Sequence, residues 1–249
     1  MLLSEKQIQD YQSNGYLAGI SISDQDEAET FRHHFDVLEA QEGQEKCQIG
    51  LVDWHLTHAF IWQIAKHPKI LDGIEQLIGP DILLLATHFF CKYGPQKNEF
   101  VAWHQDITYW GLEPPLAITA WYAIDDSNTE NGCMRVIPST HQAGIMAHGK
   151  SDQEGNLLSI NQEIAVDGTA ENSAVDIVLE AGQISIHHGH LIHGSLPNQS
   201  RRRRCGLTLR YIPPYVKQVE ENSMRQRWQS ILVRGEDQYQ NFPSGSLNF

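Results

Sequence analysis

One histidine and one carboxylate stand two residues apart at Trp103-His104-Gln105-Asp106. On a strand, residues i and i+2 point to the same face, so His104 and Asp106 aim together while Gln105 turns away. An imidazole and a carboxylate on one face, joined by a second His from elsewhere in the chain, make a 2-His-1-carboxylate facial triad. That set holds Fe(II) and leaves coordination positions open for O2 chemistry. The spacing alone is weak, because a chain with 13 His and 31 Asp or Glu produces it by chance. A second instance occurs at His34-Phe35-Asp36. There Ala28, Phe31, Phe35 and Leu38 recur at helical spacing, and two residues apart on a helix do not share a face. His34 and Asp36 are therefore excluded as a half-site.

The other ligand is sought in Ile184–His188 and the residues after it, where His187, His188, His190 and His193 crowd together. Spacing does not choose among them. Next comes Arg201-Arg202-Arg203-Arg204. If Arg204 begins the following strand, its face continues as Gly206, Thr208 and Arg210, and the other face is Cys205, Leu207, Leu209 and Tyr211. The apolar face should pack outward on helices. The polar face could line a hydrophilic interior, with Arg204 as a fixed fork for a carboxylate. Arg202 shares that parity and is the second choice.

The elements that must position these groups follow from pattern. Ser4 with Gln7 reads as a capping box, and Gly15 ends that helix. Ser23 is expected to cap a second helix, with Asp24, Asp26 and Glu27 in its first turn. Gln41–Gln48 reads as a loop, Trp54–Ala65 as a helix, and Pro68–Leu77 as a helix stopped by Gly79-Pro80. From Asp81 the texture becomes β. Strands are expected at Asp81–Tyr93, Phe100–Asp106, Leu116–Ile124, Cys133–Ile137, Val175–Leu179, Ile184–His188 and Cys205–Ile212. His55, His58, His141 and His148 read as structural or surface groups, and the tail from Gly235 to Phe249 as loosely held. Helices followed by many short strands predict one α+β domain, mainly β. Residues 1–80 form its helical part, 81–214 a jelly-roll core with the helices packed outside, and 215–249 an extension.

Composition bounds the function. A formal net charge of −13 argues against non-specific nucleic-acid binding and against an anionic membrane surface. It also makes a nucleic-acid role for the arginine run unattractive, and it tolerates a small cationic or zwitterionic substrate. The four cysteines form no C-x-x-C pattern and are expected as free thiols in a reducing cytoplasm. No apolar stretch approaches the length of a membrane span or a signal peptide.

Three blocks together, WHQDITYW, AWYAIDDSNTENGCMRVIPSTH and HHGHLIHGSLPNQSRRRR followed by a strand ending in RYIP, resemble the phytanoyl-CoA dioxygenase-like branch of Fe(II)/2-oxoglutarate oxygenases. The likeness runs from about Ser4 to Pro214. It implies a double-stranded β-helix core and makes His104, Asp106 and His193 the iron ligands. It also implies that Arg204, eleven residues past His193, pairs with the far carboxylate of 2-oxoglutarate. Ser195 would help hold that carboxylate, Trp121 would stand beside the cosubstrate, and His88 would line the pocket. Since halogenases of this branch lack the carboxylate ligand, Asp106 implies oxygenation. The activity implied is hydroxylation of an unactivated C–H of a small molecule, with Fe(II), 2-oxoglutarate and O2 as cofactors and with succinate and CO2 released. Trp103, Tyr109 and Trp110 are candidates for the substrate pocket, while Cys91 and Cys133 read as buried small residues. The branch acts on acyl-CoA thioesters, amino acids, compatible solutes, phosphonates and secondary metabolites, and the acidic balance turns the expectation from a CoA ester to a small polar metabolite. The competing readings are a jelly-roll dioxygenase that uses no 2-oxoglutarate and a binding protein on the same fold.

Overall fold

In a computed structural model of the chain, residues 2–95, 98–158, 161–219 and 227–249 are described. Helix α1, Glu5–Asn14, begins on the capping box of Ser4 and Gln7 and ends at Gly15, whose φ of 82° fits the left-handed turn. Strand β1, Tyr16–Ser21, follows where no strand was expected. Its burial does not alternate cleanly, and its register slips between Leu17 and Ile20, so it carries no period-2 signal. Helix α2, Gln25–Glu42, is capped by Asp24, not Ser23. The Asp24 carboxylate accepts from Glu27 N–H at 2.9 Å, while the Ser23 hydroxyl is engaged by Tyr122. The stretch read as a loop holds helix α3, Gln44–Ile49, which forms because Cys47 is drawn into the core. Trp54–Ala65 divides into a short 3-10 turn, Trp54–Leu56, and helix α4, Ala59–Ala65, separated by an extended His58. Helix α5, Pro68–Ile78, completes the helical part.

Eight strands then build the barrel: β2 Ile82–Lys92, β3 Val101–His104, β4 Ile118–Ala123, β5 Met134–Val136, β6 Val175–Ile177, β7 Gln183–His188, β8 His193–Ser195 and β9 Arg204–Ile212. Strand β10, Ile231–Arg234, is added from the C-terminal part. The large sheet has the order β1-β7-β4-β9-β2-β10 and the small sheet β3-β8-β5-β6. Early and late strands lie side by side in both, which is the double-stranded β-helix topology.

The outer face of the large sheet meets the helices. Phe31, Phe35 and Leu38 of α2 and Ile61 and Ile64 of α4 join one core cluster with Cys205, Leu207, Leu209 and Tyr211 of β9. Aromatic pairs such as Phe35–Phe89, with ring centroids 4.8 Å apart, sit in this layer. Burying such side chains is worth about 1.5–3 kcal/mol each, which is what holds the helices on the sheet. Arg203, just before β9, turns outward onto Asp36, Glu39 and Asp125 and ties α2 to the barrel. The C-terminal part is docked: Phe242 is buried and Asn248 N–H donates to the Leu56 carbonyl at 2.7 Å. Among the described residues no helix is long and apolar enough to cross a membrane.

Candidate active site

The strand carrying the first half-site stops at His104, earlier than expected, and Asp106 opens a 3-10 turn, Asp106–Tyr109. The parity argument survives because Gln105 keeps extended dihedrals, φ −115° and ψ 129°. Gln105 points away and is fully buried. Its amide donates to the carbonyls of Gly144 and His190 and accepts from Met146 N–H, which anchors the covering loop. His148 lies in that loop, half-buried, with its ring against the Gln105 backbone instead of in solvent.

His193 is the direct cross-strand partner of His104, so adjacent strands place the two rings 4.1 Å apart, centroid to centroid. One atom each from His104, Asp106 and His193 lies within 4.8 Å of the other two. All three residues are buried. Each ring is aimed by its own backbone: His104 Nδ1 is 2.8 Å from the Ala102 carbonyl and His193 Nδ1 is 3.0 Å from the Leu191 carbonyl. Nδ1–H therefore donates outward, and the Nε2 lone pairs face the centre. Burial and the neighbouring rings His104 and His187 hold His193 well below the usual imidazole range, so it is neutral. Burial works to push the Asp106 carboxyl up, but His104, His187 and Arg210 outweigh it and hold it well below the usual carboxylate range. The Thr119 hydroxyl donates to Asp106 Oδ2 at 2.9 Å and sets its plane. Two aimed imidazoles and one fixed, buried carboxylate fit a divalent iron ion.

The same pocket is also lined by Phe90, Trp121, His187, Ser195, Arg204 and Arg210. At one end the Arg204 guanidinium is fully buried, held by the Gly132 carbonyl at 2.8 Å and by Ser195 Oγ at 3.4 Å, with its centre 5.4 Å from the Trp121 ring. Arg202 is exposed and lies near Glu130, so parity alone did not separate the two arginines but burial does. Beside Arg204 stands Lys92, 1% exposed, which donates to Ser195 Oγ at 2.6 Å and to the Leu196 carbonyl. Burial and the adjacent Arg204 push the Lys92 ammonium well below its usual range. Neither cation forms an ion pair with a carboxylate among the described residues. The buried Arg204 guanidinium needs an anion, and the outer carboxylate of 2-oxoglutarate fits.

Lys92 was missed by sequence reading. Its signal is the parity His88, Phe90, Lys92 along β2, just before the Gly94-Pro95 turn. His187 was passed over as one of a crowd; it is 1% exposed, with Nε2 3.5 Å from Asp106 Oδ2. His88 is placed one step away from the lining residues. Its Nε2 is 2.6 Å from the Ile49 carbonyl, its ring packs on Phe90, and burial with Arg210 pushes it down to about 4. Trp103 packs outside the pocket under Arg135, and Trp110 lies beneath Arg210. The Tyr109 side chain lies outside the described residues. Gly206 explains how Trp121 fits: a Cβ there would stand 1.9 Å from the indole Cζ2.

The profile of the family described as phytanoyl-CoA dioxygenase (PhyH) matches residues 11–206. The peroxisomal phytanoyl-CoA dioxygenase of Rattus norvegicus is 25% identical over 233 residues, 84% of this chain and 68% of that protein. A probable alpha-ketoglutarate-dependent hypophosphite dioxygenase of Stutzerimonas stutzeri is 26% identical over 160 residues, 63% of this chain and 54% of that protein. The solved apo structure of the non-heme monooxygenase ThoJ superposes with a TM-score of 0.78 at 29% identity, covering 96% of this chain and 89% of ThoJ. CytC3 with Fe(II) and alpha-ketoglutarate reaches 0.70 at 21% identity, over 97% of this chain and 93% of CytC3, a likeness of fold.

Proposed function

This chain belongs to the phytanoyl-CoA dioxygenase family, and from that premise we propose that it hydroxylates an unactivated C–H bond of a small polar metabolite. It is an Fe(II)/2-oxoglutarate-dependent dioxygenase. Overall, substrate C–H, O2 and 2-oxoglutarate give substrate C–OH, succinate and CO2. In this reading residues 1–249 act as one catalytic domain in the cytoplasm. His104, Asp106 and His193 would hold the iron, whose chemistry when bound is the activation of O2. Arg204, Lys92 and Ser195 would bind and orient the far carboxylate of 2-oxoglutarate, and Trp121 would wall its side. Gln105, Thr119 and the backbone carbonyls of Ala102 and Leu191 keep the ligating atoms aimed.

The observation that carries this reading is the buried Arg204 guanidinium, backed by Lys92 through Ser195, at one end of the pocket that also holds the triad. A jelly-roll oxygenase without 2-oxoglutarate has no use for it. The net charge of −13 favours a small substrate over a polyanionic CoA thioester. The test is anaerobic: Fe(II) and 2-oxoglutarate are added to metal-free protein and the weak visible charge-transfer band of the chelate is followed. The band should form in wild type, vanish in His193→Ala, and need far more 2-oxoglutarate in Arg204→Ala. A folded wild-type protein that shows no band rejects the proposal.

A further inference from the structure

The inner face of β9 carries a second arginine. Arg210 lines the same pocket as Arg204, with Gly206 and Thr208 between them on that face. It sits in a cross-strand row, His187–Thr119–Arg210–Ala86, that runs beneath Asp106. The residue is buried, with its side chain 10% exposed. Nε has no hydrogen-bond partner. The nearest carboxylate oxygen is Asp106 Oδ1, 4.0 Å from Nη2, beyond hydrogen-bond reach. The Trp110 ring lies 5.2 Å from the guanidinium carbon and supports its plane.

A buried guanidinium offers five N–H donors in a planar fork, and leaving them unmatched is costly. Asp106 does not resolve this. Its Oδ2 is already fixed by Thr119, and its charge is required by the divalent ion the triad fits. Among the described residues Asp106 is also the only carboxylate that lines the pocket. Arg210 is thus a cation directed at the cavity, with Asp106 at 4.0 Å and no carboxylate within hydrogen-bond distance among the described residues.

We propose that Arg210 is the anchor for the substrate, and that the substrate carries a single carboxylate which the guanidinium fork receives. This rests on the Fe(II)/2-oxoglutarate reading above, because it assigns Arg204 and Lys92 to the cosubstrate and leaves Arg210 to the substrate. One unmatched charge calls for one anionic group, and the planar fork suits a carboxylate.

The experiment uses the anaerobic protein with Fe(II) and saturating 2-oxoglutarate. Butyrate, hexanoate and benzoate are titrated by calorimetry, each against its primary amide. At least one carboxylate should bind tenfold or more tightly than its amide. Arg210→Gln should abolish that preference while its chelate band and its 2-oxoglutarate requirement stay within twofold of wild type. Arg210→Lys should retain part of the preference, since it keeps the charge and loses the fork. Equal binding of acids and amides by wild type, no binding by any of the acids, or unchanged acid binding by Arg210→Gln would each overturn the assignment. Loss of the chelate band in Arg210→Gln would overturn it too, and would make Arg210 a positioning residue for Asp106. Absence of the band in wild type would remove the cosubstrate reading first and this one with it, whereas a normal band without a carboxylate preference removes this one alone.

Discussion

Arg204 and Arg210 occupy the same face of the same strand and are both buried, yet their surroundings are opposite. Arg204 is held by the Gly132 carbonyl and Ser195, with Lys92 adding a second charge to the same corner. Arg210 rests on Trp110 and meets only a carboxylate at 4.0 Å. The first is fixed before any ligand arrives, as suits a cosubstrate shared by a whole family. The second keeps free donors, as suits the part of a reaction that differs from one family member to the next. Preorganisation is thus concentrated at one end of β9, with recognition left open at the other.

The largest effect should come from the centre that both ends share. His193→Ala or Asp106→Ala should abolish iron binding and turnover, measured by metal content after dialysis against Fe(II). Either variant retaining stoichiometric iron would show that the ligands are misassigned. At the preorganised end, Arg204→Ala removes one partner of a buried charged contact, a loss of about 3 kcal/mol or roughly a hundredfold in 2-oxoglutarate affinity. The Kd from the chelate band checks this, and carboxylate binding at the Arg210 end should change little. Thr119→Val leaves all ligands in place but frees the Asp106 carboxylate, so metal affinity should drop roughly 10–100-fold. Gly206→Ala drives a methyl into Trp121 and should cost about 1–3 kcal/mol in stability, with weaker 2-oxoglutarate binding as Trp121 is displaced.

The smallest effect is a pH dependence of the metal-free fold. His88 is buried neutral, with its pKa pushed down to about 4. The unfolded ring titrates near 6.5, so between these values the unfolded chain binds the extra proton and stability falls as the pH falls. From pH 7 to pH 5 this one residue should remove about 2 kcal/mol. Chemical denaturation of His88→Gln at both pH values should show a loss smaller by that amount; an equal loss would assign the dependence to other groups.

What could be read in advance followed from local periodicity. Alternation assigned Cys205, Leu207, Leu209 and Tyr211 to the helix-covered face and Arg204, Thr208 and Arg210 to the interior, and the packing agrees. The helical period of α2 disposed of His34 and Asp36 as a half-site. What could not be read depends on strand order. Nothing local says that His193 lies opposite His104, that Thr119 reaches Asp106, or that Lys92 meets Ser195, because each contact crosses between strands distant in sequence. The choice of His193 among its neighbours came from family resemblance, and the register of β8 on β3 brings it, with His104 and Asp106, within ligating distance of one centre. Irregular backbone hid the rest: β1 slips register, and α3 follows Gly43 at a φ of 84° and has too few residues to show a period.

Strands β1 and β10 form the two borders of the large sheet, one drawn from each end of the chain. The barrel is therefore sealed by segments outside its eight core strands. β10 covers the backbone of Ile82–Leu84 and β1 covers that of β7, which carries His187. Trimming the protein to its core would bare two rows of hydrogen-bonding groups that invite pairing with other chains. For this molecule, the two ends of the chain serve as the selvedge of its main sheet.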